Sequence, residues 1–184
     1  MNMARAFTLF GRAGTRAIAH ELYRRLVAQA RRPEFFERGG LADRAENRFE
    51  VVALHAFLVM RRLKGEGRTG KHLSQQLFDL MFADLDQTLR EAGAGDLGVG
   101  RRVKALAGAF LGRVRAYDSA LVGDGDEALR AALSRNLFAG ANPGGDQLRA
   151  MADYVRREAD QLARQRSDDV LAGRLAFGPP PAYP

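Results

Sequence analysis

The chain has 184 residues, 46% of them hydrophobic and 28% charged, a balance that excludes a disordered or collagen-like polymer and predicts one ordinary hydrophobic core. With no cysteine, disulfide scaffolds, thiolate zinc sites and cysteine nucleophiles are excluded together. The net charge of +7 is held at one end: residues 1–32 carry seven arginines against Glu21 alone, while residues 33–184 carry 22 basic and 21 acidic side chains. A nearly neutral body with one positive end is not the footprint of a nucleic-acid-binding domain.

Between Pro33 and Pro143 there is no proline, and the apolar residues recur at three and four positions, so the reading is all-α. We expect a single-domain bundle of about six to seven helices over residues 15–174, preceded by a basic amphipathic segment over 1–14 and followed by a proline-rich flexible tail over 175–184. The first helix is placed at 15–31, with Ile18, Leu22, Leu26 and Ala30 on its inner stripe. The second begins near Asp43, read as an N-cap with Glu46 three residues on, and ends at Lys64. Its segment 51–60 is apolar nearly all round and half the ~20 residues a bilayer span needs, which marks a central core helix. The third, 70–92, turns Leu73, Leu77, Leu80, Met81, Leu85 and Leu89 inward and Asp79, Asp86, Arg90 and Glu91 outward. A fourth is expected over 99–121 and a fifth capped by Asp124 or Asp126. A sixth follows over 146–166, then a turn of helix after Ser167.

Chemical motifs are weak. The stretch from Gly93 to Gly100 spells two phosphate-loop patterns, but both need a preceding strand, and here a helix precedes; a helix C-cap and turn is the plainer reading, with a weak anion site the alternative. His20, His55 and His72 are never three or four residues apart, and no carboxylate set matches a di-metal bundle, so no metal or other cofactor is expected. His55 reads as a satisfied, partly buried imidazole, and no serine sits in a nucleophile motif. The small-residue ladder Ala105, Gly108, Ala109, Gly112 and Ala116 calls for close approach of a helix. That helix is either the chain's own 51–60 segment or an apolar helix from a client. The first fourteen residues either lie on an anionic membrane or dock on the bundle.

Several stretches taken in order resemble the ubiquinol-cytochrome c chaperone family. They are Arg48-Phe49, the Leu54-His55-Ala56-Phe57-Leu58 helix ending in Arg61-Arg62-Leu63, Leu77-Phe78-Asp79, Met81-Phe82-Ala83-Asp84-Leu85-Asp86, Asp96-Leu97-Gly98-Val99-Gly100, Tyr117-Asp118 and Arg135-Asn136-Leu137-Phe138. Ser134 stands where the mitochondrial branch often has tryptophan. The resemblance implies an all-helical, non-catalytic assembly factor that binds newly made cytochrome b and assists biogenesis of the respiratory ubiquinol-cytochrome c reductase complex. It further implies work at the membrane where the client is inserted, so we expect a cytoplasmic protein peripherally associated with the inner membrane; the neutral body leaves no nucleic-acid partner expected. Such a protein needs an exposed apolar groove with polar edges, and the candidate edges are Arg61, Arg62, Asp79, Asp84, Asp86, Tyr117, Asp118, Arg135 and Asn136. For the last four, an internal link from Asp118 to Arg135 or Asn136 is the competing reading. A helical lipid- or quinone-pathway protein with an enclosed apolar cavity is the alternative function.

Overall fold

The computed structural model describes residues 12–91, 93, 96–123, 125–139 and 141–183. In chain order these form α1 (Arg12–Ala30), α2 (Glu34–Glu37), α3 (Ala45–Leu63), α4 (Gly67–Glu91), α5 (Asp96–Val122), α6 (Glu127–Asn136), α7 (Gly145–Arg164) and α8 (Ser167–Val170), with a 3-10 turn over Lys64–Glu66 between α3 and α4. No strand occurs among the described residues. Six of the helices are long enough to build the bundle, and α2 and α8 are single turns. The basic segment expected over 1–14 falls, up to Gly11, outside the described residues.

The axis of the bundle is α3, which buries Val51, Ala53, Leu54, His55, Ala56, Phe57, Leu58, Val59 and Leu63. A helix apolar on every side must be surrounded, and α1, α4, α5 and α7 all pack on it. Around that axis α4 bridges α1 to α5, and α6 bridges α5 to α7. The inner stripe of α1 buries Leu22, Leu26 and Ala30, and α4 buries Leu73, Leu77 and Met81, as the helical period requires. The tilted rings of Phe78 and Phe82 lie 4.6 Å apart and meet Phe110 of α5 at 5.9 and 6.1 Å, so the α4–α5 contact is aromatic as well as aliphatic.

Two expected caps are not formed. Arg44, extended and without a side-chain cap, holds the N-cap of α3, because Asp43 is drawn off by Arg48, whose guanidinium donates to both its oxygens at 2.6 and 2.9 Å. Asp126 sits at the N-cap of α6 but caps nothing; it accepts from Arg156 Nε of α7 at 2.9 Å. In both cases an ion pair with a guanidinium takes the carboxylate that a backbone N–H would otherwise receive.

The tail is docked instead of loose. Leu175 is buried, Phe177 lies edge-on to His55 at 5.2 Å, and Gly178 N–H donates to Glu158 of α7 at 2.8 Å. From α1, Arg25 donates to Leu175 O at 3.1 Å and Gln29 to Gly178 O at 2.9 Å; Gln165 exchanges two bonds with Ala176. The segment fills the seam between α1 and α7. Proline leaves such a chain little conformational freedom to lose, so its docking costs less entropy than that of an ordinary coil.

Candidate functional site

At the C-terminal ends of α3, α5 and α7 a surface hollow of about 380 Å³ is lined by Leu58, Arg61, Arg62, Lys64, Gly65, Asp118, Ala159 and Ala163. Helix ends converge here because the 3-10 turn carries the chain from α3 into α4, leaving the last-turn arginines Arg61 and Arg62 at the rim. Asp118 accepts from Arg61 and, at 2.6 Å, from Lys64 Nζ. Burial works against its charge, but the bonds from Lys64 and Arg61 outweigh it and hold the carboxyl below its usual value. Arg62 pairs with Glu66 and donates to Gln165 O at 2.9 Å, and Ser167 Oγ donates to Glu66 at 2.7 Å. Burial also opposes the charge of Glu66, and the bonds from Ser167 and Arg62 bring its carboxyl down. The hollow therefore has an apolar floor and a rim of ion pairs.

Three of the nine sequence-predicted residues, Arg61, Arg62 and Asp118, meet there. The others are spread. Asp79 is exposed on α4 and accepts from Gln75 at 2.8 Å. Asp84 accepts from Tyr23 Oη at 2.8 Å, at the edge of a second hollow between α1 and α4. Asp86 pairs with Arg90 at 2.6 Å. Tyr117 is buried against Phe57 at 5.5 Å, and burial pushes its phenol pKa up. Asn136 donates to Ala132 O of its own helix at 2.8 Å, and Arg135 is exposed with no ion pair among the described residues. The internal link from Asp118 to Arg135 or Asn136 is thus not formed: Asp118 turns toward Arg61 at the end of α3 and Lys64 in the 3-10 turn after it.

Sequence reasoning missed Lys64, Glu66, Gln165 and Ser167. The four-residue step from Arg62 to Glu66 was a readable signal; the meeting of Lys64 with Asp118, 54 positions apart, had none. It also missed Glu50 and Arg113, which join α3 to α5 at 2.5 Å in a nearly buried pair. Burial raises the Glu50 carboxyl pKa, and Arg113 only partly offsets that.

His55 is satisfied, as its place on an apolar helix suggested. Its Nδ1 lies 2.7 Å from Val51 O and its Nε2 2.6 Å from Tyr154 Oη, which also receives Gln29 Nε2 at 3.1 Å. Only one tautomer fits: Nδ1–H donates to the carbonyl and Nε2 accepts from the phenol. Burial lowers the imidazole pKa to about 4. Both nitrogens are engaged, so the ring braces the core and offers no free base.

The small-residue ladder on α5 does not face α3. Ala105, Gly108, Ala109 and Gly112 are exposed, and a Cβ added at Gly108 or Gly112 would meet nothing within 4 Å. Of the five, Ala116 alone packs against the core. α5 instead reaches the core through the large side chains Phe110 and Tyr117, with Ala120 buried as well.

With this architecture in place, the family model for the ubiquinol-cytochrome C chaperone matches residues 37–177. The chain belongs to the ubiquinol-cytochrome c chaperone family. As a member, it is 29% identical over 147 residues to ubiquinol-cytochrome-c reductase complex assembly factor 1 of Xenopus laevis, covering 79% of this chain and 73% of that one. It is 28% identical over 162 residues to the Mus musculus assembly factor, covering 88% of this chain and 55% of that one, so it spans little more than half the mouse protein. Its fold matches the crystal structure of the Cbp3 homolog from Brucella abortus with a TM-score of 0.83, 34% identity and 97% coverage of both chains. Among the described residues of this chaperone-family member, no helix is long and apolar enough to cross a membrane.

Proposed function

We propose that this chaperone-family protein is a non-catalytic assembly factor that holds newly made cytochrome b and hands it on to the ubiquinol-cytochrome c reductase complex. The observation that supports this most is the match to the Cbp3 homolog along 97% of both chains, beside relatives named for assembly of that complex. A holder of a membrane polypeptide needs reversible apolar contact bounded by polar groups that keep the empty surface soluble. The hollow between α3, α5 and α7 suits that need: Leu58, Ala159 and Ala163 supply apolar surface, and Arg61, Arg62 and Asp118 supply a rim already neutralised in pairs. Asp79, Asp84 and Asp86 on α4, with Arg135 and Asn136 at the end of α6, are further client contacts in this reading, and Tyr117 backs Asp118 from within the core. No cofactor enters it.

The protein works in the cytoplasm, at the surface of the inner membrane where its client is inserted. Both hollows are open and edged by charge, unlike the enclosed apolar chamber that a lipid- or quinone-pathway protein requires. Loss of the protein should lower assembled cytochrome b and leave the other respiratory complexes at normal levels. Normal cytochrome bc complex in its absence refutes the proposal.

A further inference from the structure

We infer that the outward face of α5 is the surface by which the protein docks on an anionic lipid bilayer. This rests on the peripheral membrane association just proposed, and it assigns that association to a face of the folded body. Between Asp96 and Asp118 the chain carries five basic residues and no acidic one. Two of the five pair with carboxylates of α3: Arg113 with Glu50 at 2.5 Å and Arg102 with Glu46 at 3.6 Å. The other three, Arg101, Lys104 and Arg115, are exposed and have no ion pair among the described residues. By contrast, Arg24 and Arg25 of α1 share Glu21, and Arg25 is further tied to the tail.

The same face carries Leu111, 49% exposed, and Val122, 77% exposed, the two large hydrophobic side chains that stand out into solvent among the described residues. At 100° per residue, Arg101, Lys104, Leu111, Arg115 and Val122 fall within an arc of about 80° along roughly 30 Å of helix. Long cations alternating with aliphatic tips on one stripe are the pattern of a helix lying in the headgroup plane, with the cationic stems reaching to phosphate. The small residues between them keep the stripe flat. Phe110 and Tyr117, the aromatic residues of α5, are both buried on its other side, so the face lacks the aromatic anchors that a specific protein interface builds around. A flat, basic, shallowly apolar stripe complements a negatively charged bilayer, which asks for no pocket.

The test is flotation of the full-length protein with phosphatidylcholine vesicles, with and without phosphatidylglycerol. The triple variant Arg101→Gln, Lys104→Gln, Arg115→Gln should lower partition onto the anionic vesicles by about a hundredfold. A charge-matched control, Arg68→Gln, Arg149→Gln, Arg164→Gln, should leave it little changed, and both should melt like the parent. Equal loss in the two triples, or none in the first, overturns the assignment to α5. So does a triple variant that floats normally but no longer captures cytochrome b, which would give the face to the client. If the parent protein floats with neither kind of vesicle, membrane association itself is wrong.

Discussion

On the α1–α7 side the chain covers itself. A seam between two helices is filled by residues 175–183, whose backbone is met by Arg25, Gln29, Glu158 and Gln165, while Phe177 seals a buried His55–Tyr154 pair. On the α5 side it does not: glycines and alanines lie open, and three cations point outward without carboxylates. Both flanks consist of helices rich in alanine, leucine and arginine. They differ in what is within reach, because a seam offering buried polar groups must be completed by the chain itself, whereas small residues flanked by long cations leave nothing unsatisfied when water is the neighbour.

Removing the tail should break this comparison most severely. Deleting residues 175–184 exposes the Leu175 and Phe177 contacts and strips Glu158 of its backbone donor. At roughly 1.5–3 kcal/mol for each buried apolar side chain and about 1 kcal/mol for a hydrogen bond, stability should fall by about 4 kcal/mol. The melting temperature read by circular dichroism then drops by roughly 10 °C, and an unchanged melt would mean that the seam needs no cover.

Acid probes the same flank less harshly. His55 has its folded pKa depressed to about 4 from an ordinary 6.5, so between these values the unfolded chain takes up a proton that the folded one refuses. Stability is therefore lost as pH falls from about 6.5 toward 4, by about 3 kcal/mol in total, and the penalty is absent above that window. Urea titrations across the range should show this slope in the parent and a flatter one in His55→Gln. Equal slopes would assign the acid sensitivity to other groups.

The smallest effect lies on the open flank and has the opposite sign. Gly108→Ala and Gly112→Ala each place a methyl in free space, so each should stabilise by up to about 1 kcal/mol through helix propensity alone. A loss of stability at either site would show that the stripe is covered after all.

The helical period revealed the inner stripes of α1 and α4 and the central place of the 51–60 segment, since apolar residues at three- and four-residue steps have one way to leave water together. The site was less legible. Arg61, Arg62 and Asp118 were named from a family resemblance, but their partners Lys64, Gln165 and Ser167 come from turns and helix ends that meet only in three dimensions. The two aspartate caps failed for a related reason: Asp43 and Asp126 carry the right side chain at the right step, and each found a guanidinium that local pattern cannot weigh.

Sequence alone determined that this protein is a helical bundle around one apolar axis, because periodicity is a local property that burial then enforces. Only the tertiary structure decided which faces stay open, which charges cancel and where residues 175–183 go. Those outcomes depend on which groups from distant parts of the chain arrive within a few ångströms of each other, and on the cost of leaving any of them buried without a partner.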